Sequence, residues 1–460
     1  MKFKKVMKTV QISLILIACA IQPVNAQSLL TLNKAIEAGL KYNHIVLISS
    51  MDKEIAENLA TRGNAGLLPL VSFTGEAGQS YGAVDLTPGS FFRDLTGGQG
   101  GRLHSEISYS GVSSTEVKAG VAAEMVLYNG RAGEARYRML HIGKEAASVQ
   151  YQQKMEQTIL EITGAYIQSA ILQESLMLKQ EVVEQSRDRY LRIEQQRRFG
   201  QASEQQLIMA QKDLKRDSTA YHDLDMQYRN SWRELHHAIG WDLSEPADLE
   251  ANIPVEYWFD IDRLTENVRK ENRLLHLAKL QTEMSDAEAD LARSAYFPTL
   301  AASARYGYNY QYASEGQFET QEWLGVTGGL TLRVPIFQGG RASTAVQNAR
   351  IERRQKEIEK SRAEVQIVKS VENRLDRFHH LKNQIETERT NFSVYERDYE
   401  RAVEANRQGL ITGIELRRAR LSQLESRMQI AKLSLQLKLE ETRLLYLSGG
   451  LLVLSQRPDR

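Results

Sequence analysis

Four tyrosines occupy every second position from Tyr306 to Tyr312, in the stretch YGYNYQY, with Gly307, Asn309 and Gln311 between them. A helix would spread them around its circumference, whereas a strand puts all four on one face. The alternation starts earlier, with Leu300, Ala302 and Ala304 against Thr299, Ala301, Ser303 and Arg305. A return segment repeats it: Leu324, Val326, Gly328, Leu330, Leu332, Val334 and Ile336 against Gly325, Thr327, Gly329, Thr331 and Arg333. The first half of the chain holds a similar pair. Val71, Phe73, Gly75 and Ala77 alternate with Ser72, Thr74, Glu76 and Gly78. Val117, Ala119, Val121, Ala123, Met125 and Leu127 then enclose Lys118, Gly120 and Glu124. These patterns predict four two-faced strands. All reach the roughly 9–11 residues a transmembrane strand needs.

The two halves are copies of one unit. Lys41-Tyr42-Asn43 aligns with Lys270-Glu271-Asn272, Pro69 with Pro298, and LYNGR (Leu127 to Arg131) with FQGGR (Phe337 to Arg341). Phe199-Gly200 then matches Gln408-Gly409, and Gly240 matches Gly449. The offset shrinks across the strands, so the first copy carries an insertion. Its Gly-rich stretch Val84 to Arg102 reads as a long exposed loop. Each copy is expected to run helix of about ten turns, ending at the proline, then strand, strand and a helical hairpin. Residues 27–245 form the first repeat and 246–460 the second.

No proline interrupts Arg131 to Gly240 or Arg341 to Gly449. At about 1.5 Å per residue, the helix after Arg341 would be roughly 100 Å long. Val371, Phe378, Ile385, Phe392 and Tyr399 recur at every seventh position, matched by Ile162, Ser169, Leu176, Val183 and Tyr190. So narrow a stripe predicts coiled-coil-like packing, with Lys382 and Arg389 interrupting its second seam position. At the hairpin tips Gly200 precedes Ser203-Glu204-Gln205-Gln206, and Gly409 precedes Thr412-Gly413-Ile414-Glu415. A glycine can end one helix in the left-handed region. Ser203 or Thr412 then caps the next, with Gln206 or Glu415 completing a capping box. The bland reading is that these residues shape the turn alone.

Composition narrows the class. The 460 residues carry a net charge of +1, which gives no support to nucleic-acid binding. Residues 1–26 read as a signal peptide: Lys2, Lys4, Lys5 and Lys8, then the apolar run from Gln11 to Ile21, then Val24-Asn25-Ala26. Cys19 is the only cysteine. It is either a small apolar residue of that core or, with Leu16-Ile17-Ala18, the lipidated cysteine of a lipobox. An exported chain with four two-faced strands points to an outer-membrane barrel. Such barrels start at about 8 strands, so several copies would have to pool theirs. The competing reading is a soluble β-sandwich with one buried face. Under the membrane reading, Tyr306, Tyr308, Tyr310 and Tyr312 sit at the bilayer boundary, ring in lipid and hydroxyl in water.

The order of motifs resembles the TolC-type outer-membrane efflux proteins. The resemblance rests on Leu30-Thr31-Leu32 with Ala35-Ile36, Leu67-Leu68-Pro69, Phe297-Pro298, and Val334-Pro335-Ile336-Phe337 before Gly339-Gly340-Arg341. The two tip turns, with Leu207/Ala210 and Leu416/Ala419, complete it. It implies a mainly α chain with β: two tandem repeats building a homotrimer in the outer membrane of a Gram-negative bacterium. That trimer would be a twelve-stranded β-barrel in outer-membrane lipid, continued by a periplasmic α-helical barrel. The function implied is a passive, gated exit duct. A periplasmic adaptor (membrane fusion protein) would couple it to an inner-membrane pump of the RND or ABC type. The tips Gly200, Ser203, Gln206, Gly409, Thr412 and Glu415 would meet the adaptor. Glu415 and Arg418 would lie at the pore entrance, Arg418 where the family often has a second acidic residue. The arginine common just after the second tip glycine is replaced by Ile411.

No GxxxxGK and no GxSxG occurs. His236-His237 and His379-His380 are adjacent pairs, poor geometry for one metal, and read as solvated helix positions. No enzyme activity, cofactor or nucleic-acid partner is expected, and energy for transport would come from a partner. Cargo stays open between drug, metal ion and polypeptide. So do an outlet for type I protein secretion and, from another class, a soluble exported coiled-coil scaffold.

Overall fold

The computed structural model describes residues 29–86, 107–242, 248–255, 259–314 and 319–452. The signal segment with Cys19 lies outside these residues, as does most of the expected loop after Val84. The elements, in chain order, are α1 (Leu32–Tyr42), α2 (His44–Leu59), β1 (Leu70–Leu86), β2 (Ile107–Asn129), α3 (Ala132–Arg198) and α4 (Glu204–Ile239). The second half repeats the order: α5 (Ile261–Glu271), α6 (Arg273–Ser294), β3 (Thr299–Ala313), β4 (Thr320–Arg333), α7 (Arg341–Arg407) and α8 (Gly413–Leu447). Two compact units draw on both halves. One comprises Met1–Asp52, Ser148–Leu277 and Ser361–Arg460, the other Lys53–Ala147 and Ala278–Lys360.

The second of these holds a single antiparallel sheet in the order β1-β2-β3-β4. Its register is continuous from β3 to β4 and slips at bulges near Gly82 and Val126. β1 and β2 are longer than the alternation alone indicated, with 17 and 23 residues. Val84 to Leu86, assigned to the loop by composition, continue β1 and pair with Ile107 to Tyr109. α2 and α6 are each tied to the long helix of their own repeat by an equivalent ion pair: Lys144–Glu57 at 3.7 Å and Arg353–Asp286 at 2.7 Å.

The other unit is helical and has two cores. One gathers Leu32 and Ala35 of α1, Ile162, Tyr166 and Ala170 of α3, and Trp232, Leu235 and Ile239 of α4. The second gathers Leu264 and Val268 of α5, Val371, Leu375, Phe378, Leu381 and Ile385 of α7, and Leu437 and Leu444 of α8. Fully burying such a side chain stabilises by about 1.5–3 kcal/mol. Around the first core, Tyr166 donates its hydroxyl to the Leu30 carbonyl at 2.6 Å. Gln173 accepts from Leu249 N–H at 2.9 Å and donates to its carbonyl at 3.1 Å.

Four expectations are corrected. The first helix of each repeat is not one run of ten turns reaching the proline. It breaks at Asn43 and Asn272, both extended, with φ −63° and −66°. α2 ends at Leu59 and α6 at Ser294, each short of its proline. Asn43 N–H closes α1 on the Gly39 carbonyl, and its side-chain oxygen caps α2 by accepting from Ile45 and Val46 N–H. Second, His236 is buried rather than solvated. Its ring lies 4.8 Å from Trp232 and 5.5 Å from Trp241, and Nδ1 sits 2.7 Å from the Asp242 carbonyl oxygen. His237, His379 and His380 are exposed. Third, the seam of α7 steps sideways after Phe378: Leu381 rather than Lys382 enters the core. Fourth, the start of the long helices is offset by one residue from the LYNGR–FQGGR alignment. The left-handed pair before α3 is Gly130-Arg131, with φ 66° and 70°, and before α7 it is Gly339-Gly340, with φ 59° and 82°. Arg131 thus stands in the conformation of Gly340, not of Arg341.

Candidate functional site: hairpin tips and a two-faced sheet

Both tips form as the sequence predicts. Gly200 and Gly409 have φ of 73° and 75°, so each long helix ends in a left-handed residue. Ser203 N–H donates to Gln206 Oε1 at 2.8 Å, and Gln206 N–H donates back to Ser203 Oγ at 3.2 Å. At the second tip Thr412 donates to Glu415 Oε2 from its N–H at 2.7 Å and from its hydroxyl at 2.9 Å. Glu415 N–H donates to Thr412 Oγ1 at 3.3 Å. These bonds to Thr412, backbone first, hold the Glu415 carboxyl below the usual carboxylate range, and Arg418 acts in the same direction. Glu415 and Arg418 are both exposed on the first turns of α8. Each tip also exposes apolar surface, including Phe199 on the first and Leu410 and Ile414 on the second. Ala210 and Ala419, the small residues one turn inside, are buried.

The tip-proximal part of the unit holds a polar joint that sequence reading missed. Ser186 on α3 and Asp217 on α4 are only 2% and 3% exposed. Arg417 on α8 donates to Ser186 Oγ at 2.7 Å and to Asp217 Oδ2 at 2.5 Å, while Ser186 Oγ donates to Asp217 Oδ2 at 2.6 Å. One turn on, Arg420 pairs with Glu181 of α3 and lies over the Tyr399 ring, 4.8 Å from its centroid. The two repeats of one chain are therefore clasped by buried charge. Breaking such a pair on one side typically costs about 3–5 kcal/mol. The available signal was a pair of polar residues, Ser186 and Asp217, on helix faces that turn inward.

In the sheet, the register puts all four tyrosines on one face. Tyr306 is flanked by Val121 and Val326, and Tyr308 by Ala119 and Leu324, with Phe73 and Gly75 beyond on β1. The rows on the Thr299 side are also apolar: Val71, Ala123 and Ala304, then Met125, Ala302 and Leu330. In the other direction polar neighbours enter, Glu322 beside Tyr310, then Thr115 and Thr320 beside Tyr312. The tyrosine ladder therefore straddles a change from apolar to polar surface. Tyr306 is 56% exposed and Val326 72%, so this face has no cover among the described residues.

The opposite face is polar, with Glu76, Lys118 and Asn309 in one row and Lys118 paired to Glu116 at 2.6 Å. Gly120 and Gly307 lie side by side there. A Cβ on Gly120 would stand 2.8 Å from the Tyr306 carbonyl oxygen, which only glycine avoids. No helix among the described residues is long and apolar enough to cross a membrane. No cluster of metal-ligating side chains occurs among them.

The arrangement has close structural relatives. The outer membrane channel CmeC of Campylobacter jejuni superposes with a TM-score of 0.74 at 17% identity, over 91% of this chain and 86% of that one. The Neisseria gonorrhoeae MtrE outer membrane channel, in its open state, gives 0.70 at 17% identity over 91% and 89%. The outer membrane protein VceC of Vibrio cholerae gives 0.66 at 14% identity over 91% and 96%. Among curated proteins none matches the chain in sequence. At these identities the structures speak for the fold alone. The family itself is shown by sequence, through matches over residues 50–241 and 264–450. The chain belongs to the outer membrane efflux protein family.

Proposed function

We propose that this protein is the outer-membrane exit duct of a tripartite efflux system. Three copies pool their strands into one barrel, and an adaptor at the helix tips connects the duct to an inner-membrane pump. The observation that carries the reading is the four-stranded sheet with two uncovered edges, β1 and β4, and one uncovered apolar face. Such a sheet is satisfied neither in water nor in lipid. Lipid demands that every backbone N–H and C=O be paired, which a closed barrel achieves and an open sheet does not. Lipid then covers the face of Phe73, Val121, Tyr306 and Val326, and the polar face of Glu76 and Lys118 lines the lumen. The exposed tips suit a docking role: Phe199, Leu410 and Ile414 offer apolar surface beside the capped turns of Ser203 and Thr412. The duct needs no energy-converting chemistry of its own, because the pump supplies it.

Photocrosslinking in cells tests this. A photoreactive residue replaces Ala202 in one strain and Ile411 in another, and captured proteins are identified by mass spectrometry. Capture of a periplasmic adaptor from the tips is expected, and the adaptor's class separates small-molecule efflux from protein secretion. Self-crosslinks alone, with the protein absent from the membrane fraction, would overturn the reading in favour of a soluble scaffold.

A further inference from the structure

The hairpins of the two repeats correspond residue for residue at a constant offset in sequence. Ser203 corresponds to Thr412, Gln206 to Glu415 and Gly240 to Gly449. The clasp inside the chain can therefore be carried forward by one repeat. Arg417 of α8 corresponds to Ile208 of α4, and Ser186 of α3 to Tyr395 of α7. Asp217 corresponds to Ser426, Arg420 to Gln211 and Glu181 to Thr390. In a ring of alternating repeats, the first hairpin of one copy meets the second hairpin of the next by the same geometry that joins the two within a chain. Ile208 and Tyr395 are 54% and 39% exposed, so the described residues leave both uncovered. Ser426 is already satisfied, donating to Glu388 of its own repeat at 2.8 Å. Nothing charged is left at these positions for a partner to neutralise.

We propose that Ile208 on α4 of one copy packs against Tyr395 on α7 of a second copy, forming an apolar seam at the level where the two repeats of one chain are joined by the Arg417–Asp217–Ser186 clasp. The inference rests on the three-copy duct proposed above. It adds that the ring has two kinds of seam, which alternate. Seams within a chain are ionic, with the Asp217 carboxylate buried; seams between chains are apolar. The occupant is a second copy because the surface Ile208 must meet is already present in this chain, at the repeat-equivalent position.

The test is cysteine crosslinking in isolated membranes. Ile208→Cys and Tyr395→Cys are combined in one chain and treated with a short bismaleimide. Gln211→Cys with Thr390→Cys, both exposed, provides a second pair that disturbs no apolar contact. Each single variant sets the background, Cys19 included. Denaturing electrophoresis should shift the doubly substituted chains to the masses of two and three copies, while single variants stay at one. The detergent-extracted protein is weighed in parallel by light scattering. A three-copy mass with no link from either pair overturns this seam and leaves the duct intact. A one-copy mass sinks the duct reading and the seam with it.

Discussion

Asn43 donates from its side-chain amide to the Ala238 carbonyl at 2.7 Å, across 195 residues of chain. Asn272 does the same to Leu447 at 2.8 Å in the second repeat. In each case the asparagine that breaks the first helix also receives the end of the returning hairpin. The glycine that follows that hairpin passes directly over the break. A Cβ on Gly240 would stand 2.5 Å from the Tyr42 carbonyl oxygen, and one on Gly449 2.4 Å from that of Glu271. One asparagine and one glycine thus close each repeat on itself.

Glycines at the closures and at the tips should therefore tolerate alanine differently. All four have positive φ, which costs a side chain about 1–2 kcal/mol. Only Gly240 and Gly449 also meet backbone, while Gly200 and Gly409 face open space. Gly449→Ala should lower the denaturant midpoint by clearly more than Gly409→Ala does. Equal shifts would show that the closure yields at little cost.

The clasp predicts a polarity of damage. Arg417→Met leaves Asp217 buried without its main cation, at a cost of about 3–5 kcal/mol. Asp217→Asn keeps the shape and removes the burial of charge. Arg417→Met should therefore lower the denaturant midpoint by clearly more than Asp217→Asn does. A larger shift for Asp217→Asn would mean that Arg417 contributes little to holding the buried carboxylate.

Glu156 on α3 is 1% exposed, and its charge partner Arg273 lies 3.7 Å away. Burial pushes its carboxyl up to about 7, against the pull of Arg273. A folded pKa above the unfolded one means that the group favours folding while it is protonated. That contribution is full below the ordinary value of 4.5 and is lost as pH rises through about 7. Glu156→Gln should flatten the fall in thermal midpoint between mildly acidic and mildly alkaline buffer, a difference of order ~3 kcal/mol at most. An unchanged slope would place the titration elsewhere.

The two faces of the sheet predict opposite responses to one substitution. Val326→Arg puts a charge in the apolar row of Tyr306, at about 2–4 kcal/mol if that row lies near the bilayer midplane. Thr327→Arg puts it one residue along, beside Arg305 on the polar face. The yield of membrane-inserted protein should fall for the first and hold for the second. The reverse would mean that the sheet presents its other side to lipid.

Period-two alternation and turn chemistry made the strands and tips legible, because both are local. A capping box needs four residues, and Thr412 to Glu415 contain all of it. The break at Asn43 was less legible, since asparagine there acts on Ala238, far along the chain. His236 reads as solvated from sequence because an adjacent histidine pair is poor geometry for one metal. Its burial comes from Trp232 one turn back and from Trp241 after the helix end, a contact that adjacency does not reveal. Arg417 sits in an otherwise charged run beside Arg418, and nothing local separates the buried arginine from the exposed one. The alignment of Arg131 with Arg341 followed residue identity. Backbone sign decides instead, and Arg131 holds the left-handed position that the second repeat gives to Gly340.

The uncovered edges of β1 and β4 carry a genetic consequence. If the barrel closes only with three copies, a chain whose strand cannot pair spoils every assembly it joins. Co-expressed in equal amount with the intact protein, it would leave only about one assembly in eight wholly intact, the cube of one half. An allele that breaks β4 would then act as a dominant one, its effect set by the number of chains per ring and not by the activity it lacks.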